Sequence, residues 1–183
     1  MGIFDVPPAE LIKEVAKDLK QKLEKPKWID FVKSGSSKER APQSRDFWFD
    51  RNASILFRVY KNGPIGTESL RSYYGGRKNR GVKPEHHRKA SGKIIRLCLQ
   101  TLEKKGFIKK EKKGRVITST GEKYLYGISK IVQKNIETMP VEQRKPKQIE
   151  QLESKAKHGM HGMRGADKRD RHKDEKKEKA EKK

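Results

Sequence analysis

A glycine-rich segment near the middle of the chain carries the side chains best suited to binding chemistry. It reads SYYGGRKNRGVKPEHHRKASGK over residues 72–93 and contains seven Lys or Arg, four Gly and one acid. Cations this dense repel one another, so they do not stabilise an isolated fold. Glycines let backbone N–H groups approach a phosphate path between the cations that bind it. The segment indicates a surface for a polyanion, although a flexible basic loop has the same composition.

The basic segment continues into its neighbours, since residues 71–115 hold 16 basic and 3 acidic side chains. Nucleic acid is the polyanion that such a patch fits best, and binding should weaken steeply with salt. Aromatic and imidazole rings stack on unpaired RNA bases, although Tyr73 and Tyr74 are equally suited to the core. The candidate RNA-binding residues are Arg77, Lys78, Arg80, Lys83, His86, His87, Arg88, Lys89, Lys93, Arg96, Lys112, Lys113 and Arg115.

Catalytic motifs are not found, so the sequence predicts a protein that is not an enzyme and needs neither a small-molecule substrate nor a cofactor. It shows no P-loop, no paired carboxylates in an apolar setting and no nucleophile beside a base. The single cysteine, Cys98, excludes a cysteine-based zinc cluster, and its helical spacing predicts core filling. The tail sequence HGMHGM has soft-metal ligands, but a flexible spacer is the preferred interpretation, and no metal site is predicted.

Charge and hydropathy divide the chain of 183 residues, whose net charge is +23, into two parts. Residues 1–136 are predicted to form one folded domain. Residues 137–183 contain 15 basic and 10 acidic side chains and no aromatic residue, so this extension is predicted to be disordered in isolation. No apolar run approaches the roughly 18 residues of a membrane span, and the sequence therefore predicts a cytoplasmic protein without a membrane partner.

The elements that must position the basic residues follow from apolar spacing. Helices are predicted at about 8–24, from Asp46 to Asn62, after Gly66, and at 89–105, with a short helix at WIDFV. A hairpin is predicted at 107–112 and 115–119, followed by a last helix capped by Ser119 or Thr120. The fold class is mainly α: a winged helix-turn-helix with extra N-terminal helices and a short β-hairpin wing.

The helix predicted at 89–105 separates its charged and apolar side chains. At about 100° per residue, Lys89, Lys93, Arg96 and Gln100 lie on one stripe about 60° wide. Ser91, Ile94, Cys98 and Leu102 lie on the opposite side. A solvated helix surface usually mixes acids with its cations for i,i+4 pairing, but this stripe has no acid before Glu103. The stripe is therefore predicted to face nucleic acid.

With these residues placed, the segment YYGGRKNRGVKPEHHRKASGKIIRLCLQTLEKKGFIKK resembles the signature of the small-subunit ribosomal protein S19e family of archaea and eukaryotes. VPPAELI, WIDFVKSG, FWFDRNASILFRVYKNGPIG and KKGRVITSTGEKYL are similar to the family in the same order, over about residues 4–135. An archaeal member is expected. The resemblance implies a winged helix, a place in the head of the small subunit on ribosomal RNA beside neighbouring head proteins, and a part in subunit maturation.

Two positions depart from the family pattern in the central helix. Phe57 stands where a basic residue is usual, so an RNA contact there is expected to be displaced or lost. Asn52 stands where a small apolar residue is usual, which affects the packing near Trp48 and Arg51. The alternative function is a winged-helix DNA-binding transcriptional regulator, but no apolar helix is left over for the dimer that such proteins commonly form.

Overall fold

The computed structural model describes residues 2–138, and the predicted disordered extension lies outside the described residues apart from its first two positions. A 3-10 helix, Ile3–Asp5, precedes α1 (Pro8–Lys22), and a second, Lys27–Phe31, follows it. The remaining elements are α2 (Phe47–Asn62), α3 (Thr67–Tyr73), β1 (Gly76–Arg80), β2 (Lys83–Arg88), α4 (Gly92–Lys104), β3 (Ile108–Glu111), β4 (Gly114–Ile117) and α5 (Ser119–Thr138). The predicted mainly α class, with a winged helix, is confirmed.

Helix α1 begins at the predicted proline and packs along α2. Leu11, Val15 and Leu19 recur at i, i+4 and i+8, and all three are buried. Prolines at the start of α1 remove no helical hydrogen bond, because the N–H groups of a first helical turn have no intrahelical acceptor. Tyr124 of α5 donates a hydrogen bond to Asp18 at 2.5 Å, which fastens the last helix to the first.

Helices α2, α3 and α4 form the predicted helix-turn-helix, but α4 begins later than predicted. The prediction placed its first residue at Lys89, whereas the helix starts at Gly92, after Ser91. The chain is extended before Ser91, because the Ala90 N–H donates to the Arg71 carbonyl oxygen at 2.9 Å. The N–H of Ser91 likewise donates to the carbonyl oxygen of Ser34 at 2.9 Å. Hydrogen bonds to distant segments have thus replaced the first predicted helical turn.

The glycine-rich segment, for which the sequence predicted no strand, is an antiparallel hairpin of β1 and β2. Arg77 lies opposite His87 and Lys78 opposite His86, with a bulge between Lys78 and Arg80. Its tip turns at Gly81, whose φ of +72° favours glycine, and the Gly81 N–H donates to Asn79 Oδ1 at 2.8 Å. Every residue of β2 is exposed, so the hairpin stands away from the core.

The wing is the predicted hairpin, formed by β3 and β4. Both ends of β3 and the end of β4 lie one or two residues inside the predicted bounds, whereas β4 begins one residue earlier than predicted. Gly114 has a φ of +148°, and a Cβ there would lie 2.8 Å from the carbonyl oxygen of Ile65, so a side chain at this position is strained. The cap of α5 was predicted one or two residues too late: Thr118 Oγ1 accepts the N–H of Gly121 at 3.2 Å.

The core lies between α1, α2 and α4 and includes both residues that depart from the family pattern. Phe57 is buried and meets the ring of Phe4 edge-on, with 6.4 Å between centroids. Asn52 is fully buried, and its Nδ2 donates to the carbonyl oxygen of Trp48 at 2.8 Å. Among the described residues, Asn52 Oδ1 and Trp48 Nε1 have no hydrogen-bond partner. The position usually occupied by a small apolar residue therefore holds a polar group that is only half satisfied.

Replacing Asn52 by alanine is expected to raise the free energy of unfolding by about 1 kcal/mol. The substitution removes a buried acceptor without a partner, and alanine favours the helix more than asparagine does. Urea denaturation measures the change. The matched control is Ser54→Ala on the same helix, which breaks the 2.7 Å hydrogen bond with Tyr74 and should lower stability by about 1 kcal/mol. A loss of stability in Asn52→Ala equal to that of the control would contradict the expectation.

Candidate nucleic-acid interface

The predicted separation of charged and apolar faces in α4 is confirmed. Lys93, Arg96 and Gln100 are exposed. Ile94, Cys98 and Leu102, on the opposite side, are buried. Burial raises the pKa of the Cys98 thiol, which stays protonated as a core residue, as predicted from its spacing. An amphipathic helix therefore turns a row of long donors outward.

The exposed α4 side chains are held by neighbours on other elements. Lys93 Nζ lies 4.7 Å from the ring centroid of Trp28, a cation–π contact with the second 3-10 helix. A Cβ on Gly92 would lie 3.3 Å from both Arg71 Nε and Arg96 Nη1, so both guanidinium groups lie beside Gly92. Two positive charges next to the same residue favour an anion near them.

The β1–β2 hairpin presents cations and imidazole rings on both of its sides. Arg77 Nε pairs with Glu85 Oε2 at 2.6 Å, and the Arg77 side chain is 77% exposed. At the base of the hairpin, a Cβ on Gly75 would lie 2.6 Å from the carbonyl oxygen of Arg88 and 2.8 Å from the His87 ring. Glycine is therefore required at position 75 for close approach. The other exposed candidates of the hairpin are Lys83, His86, His87 and Arg88.

Lys78 and Arg115, both predicted RNA-binding residues, donate hydrogen bonds to other segments of the protein. Lys78 Nζ donates to the carbonyl oxygen of Ser36 at 2.9 Å. Arg115 is largely buried, with Nε donating to Glu103 Oε1 at 2.9 Å and Nη1 to Thr67 Oγ1 at 3.2 Å. Arg115 thus connects the wing to α4 and α3. Its contact with RNA stays a prediction.

The other candidates lie at three separate places. Arg80 is half-buried at the end of β1. Lys89 is exposed just before α4 and forms an ion pair with Glu68 at 3.0 Å. Lys112 and Lys113 are exposed at the tip of the wing. We call the exposed cations of the β1–β2 hairpin, Lys89 and the α4 stripe together the basic surface.

The sequence left open whether Tyr73 and Tyr74 stack on RNA bases or belong to the core, and the structure places them in different environments. Tyr74 is half-buried, and Arg51 lies 4.0 Å from its ring centroid. Burial raises the pKa of Tyr74 and lowers that of Arg51. Tyr73 is 54% exposed, but Arg58 lies 3.5 Å from its ring centroid. The arginines of α2 therefore cover tyrosine rings, a role that sequence reasoning missed because the two elements meet only in the fold.

The described part of the chain has neither a membrane-spanning helix nor a cluster of metal-ligating side chains. No helix among residues 2–138 is both long and apolar enough to cross a membrane. In the same residues, no group of three or more His, Cys, Asp or Glu side chains is placed to hold a metal ion. The soft-metal ligands of the tail sequence HGMHGM, which are His158, Met160, His161 and Met163, lie outside the described residues.

A helix-turn-helix with a wing and a cationic outer face on its third helix defines a winged-helix protein of the nucleic-acid-binding class. A family model, described as ribosomal protein S19e, matches residues 2–135. The chain belongs to this family. The resemblance predicted from the sequence is therefore confirmed.

Three curated relatives, each named small ribosomal subunit protein eS19, illustrate how far the similarity extends. The protein of Aeropyrum pernix is 43% identical over 150 residues, which cover 79% of this chain and 98% of the relative. That of Haloarcula marismortui is 40% identical over 130 residues, covering 67% and 85%. That of Entamoeba histolytica is 43% identical over 124 residues, covering 67% and 80%. The similarity thus spans archaeal and eukaryotic proteins over most of their length.

Proposed function

We propose that this chain is a structural constituent of the small ribosomal subunit and binds ribosomal RNA through its basic surface. Membership of the S19e family supports the structural role in the subunit, since the curated relatives are named as proteins of that subunit. The exposed, acid-free stripe of α4 supports the mode of binding, because long cationic donors that reach solvent are suited to phosphates.

Binding is proposed to combine phosphate contacts with base stacking. Lys93 and Arg96 neutralise backbone phosphates and release counterions. His86 and His87 are exposed on β2, so their rings are available to stack on unpaired bases. The wing contributes Lys112 and Lys113, whereas Arg115 is assigned to bracing the wing.

As a member of a ribosomal protein family, the chain is proposed to act by binding rather than by catalysis, without a cofactor or a small-molecule substrate. Its place is the subunit head in the cytoplasmic ribosome, beside neighbouring head proteins, where it supports subunit maturation. The transcriptional regulator is not proposed, since the relatives named above are ribosomal proteins.

Two measurements on the full chain test the proposal. Purified small subunits from the source cells are expected to contain the protein in a one-to-one ratio. In competition binding at matched salt, a transcript of small-subunit ribosomal RNA is expected to displace duplex DNA of random sequence. Absence from purified subunits, or strong preference for one DNA duplex sequence, would overturn the ribosomal assignment in favour of the regulator.

A further inference from the structure

An open cavity of about 530 Å³ lies where the segment before α2 meets α3, the β1–β2 hairpin and the start of α4. Four of its lining side chains are cationic, and two of these, Lys33 and Arg71, were not among the predicted RNA-binding residues. We call it the lysine pocket. Its lining includes Lys33, Gly35, Arg71, Lys78, Lys89 and Ala90.

Backbone contacts hold the lysine pocket in shape before any ligand arrives. Gly35 forms an antiparallel bridge with Ala90, and a Cβ on Gly35 would lie only 3.1 Å from the Cα of Ala90. The Ser91 N–H and the Lys78 ammonium group donate to carbonyl oxygens of the same loop, those of Ser34 and Ser36, at 2.9 Å. A preformed site loses little conformational entropy on binding.

The charges around the lysine pocket are not balanced. One carboxylate, that of Glu68, reaches two of the four cations: Oε1 pairs with Arg71 at 2.5 Å and Oε2 with Lys89 at 3.0 Å. Hydrogen bonds from Lys89 and Arg71 hold the pKa of Glu68 below its usual value. Within residues 2–138, no carboxylate pairs with Lys33 or Lys78. The pocket is therefore short of negative charge and has one acid at its rim.

We propose that the lysine pocket seats one phosphate of the RNA backbone, and that Glu68 is the counter-ion which this phosphate displaces from Arg71 and Lys89. The proposal rests on the proposed function and deepens it by assigning a phosphate site. A phosphodiester carries one negative charge, as Glu68 does, so the exchange keeps both cations paired. Arg71 offers a fork of donors that suits two phosphate oxygens, whereas the lysines act as point charges.

RNA is the occupant that the surroundings favour. Lys89 belongs to both the pocket and the basic surface, and Lys78 lies on the hairpin whose exposed cations are part of that surface. A strand bound on the basic surface therefore passes the mouth of the pocket. Arg96 and Arg71 both lie next to Gly92. Arg96 therefore extends the positive charge of the pocket towards the α4 stripe. A continuous run of cations from the pocket to the stripe suits a strand that carries one phosphate per nucleotide.

The decisive test is the substitution Glu68→Gln in the full chain, with a transcript of small-subunit ribosomal RNA as probe. Dissociation constants are measured over a range of salt concentrations. Roughly threefold to tenfold tighter binding is expected, because a competing anion is gone. The slope of log K against log salt should steepen by up to about 1, because Glu68 no longer recaptures a cation when the phosphate displaces it.

Glu14→Gln is the matched control. Glu14 pairs with Lys17 at 2.5 Å in α1, with the same i,i+3 spacing as Glu68 and Arg71, but neither residue lines the lysine pocket. It changes the net charge equally and should leave the slope unaltered. Lys33→Ala, compared with Lys17→Ala, should weaken binding roughly threefold to tenfold and flatten the slope by about 0.7 to 0.9.

The outcomes separate this proposal from the proposed function. Failure of the unaltered chain to bind the transcript would overturn both. Binding by the unaltered chain with equal effects of Glu68→Gln and Glu14→Gln would overturn the pocket alone, since only net charge would then matter. Inorganic phosphate or an acidic peptide that binds the pocket without competing with the transcript would likewise overturn the RNA assignment. Thermal melts of each variant verify that it is folded.

Discussion

Replacing Lys93 and Arg96 together by alanine is expected to weaken binding to a small-subunit ribosomal RNA transcript by roughly tenfold or more. Both side chains are exposed on the charged stripe of α4. Each is expected to neutralise one phosphate, so the slope of log K against log salt should flatten by about 1.5 to 2. Titrations at several salt concentrations measure both quantities. Melting should change little, because only the contact of Lys93 with Trp28, worth about 1 kcal/mol or less, is lost.

The control for this double substitution is Lys123→Ala with Lys130→Ala in α5. Lys130 lies 4.6 Å from the ring centroid of Tyr126, so this pair also removes two charges and one cation–π contact. Its effect on RNA binding should be small. Equal weakening by the two double variants would show that the overall charge of the protein, and not the α4 stripe, governs binding. Loss of folding in the Lys93 and Arg96 variant would mean that these side chains support the structure.

Replacing Leu102 by alanine is expected to lower the free energy of unfolding by about 2 to 5 kcal/mol. Leu102 is fully buried on the apolar side of α4, where a truncated side chain leaves a cavity among well-packed neighbours. Urea denaturation followed by circular dichroism measures the change. Gln100→Ala is the matched control, since Gln100 is exposed on the same helix, and its effect should stay within about 0.5 kcal/mol. Comparable stability of the two variants would contradict the assignment of α4's buried face.

The helices were predictable because their evidence is local. Leu11, Val15 and Leu19 repeat with the helical period, and a proline begins α1 in both the prediction and the structure. Such patterns survive folding, because an amphipathic helix must bury its apolar stripe against something. The end of α1 was predicted two residues late, which is the ordinary uncertainty of a fraying terminus.

The β1–β2 hairpin was not predictable from apolar spacing. Its residues are charged or polar at nearly every position, so the alternation that signals a half-buried strand is missing. The turn at Gly81 and the pairing of Arg77 with His87 arise from backbone geometry and hydrogen bonds between strands. The start of α4 was wrong for a related reason, since the extended backbone before Ser91 is fixed by Ser34 and Arg71, far away in the sequence.

The amino-acid sequence was enough to predict a polyanion partner, the family and the orientation of α4, because these depend on charge density, on a shared motif and on a period along one helix. Which cations are available to a ligand depends instead on the folded structure. Lys78 and Arg115 meet Ser36 and Glu103, and Glu68 meets Lys89, across 12 or more positions of the chain. An ion's availability depends on the partners that folding brings within reach, and no periodicity along the chain contains that information.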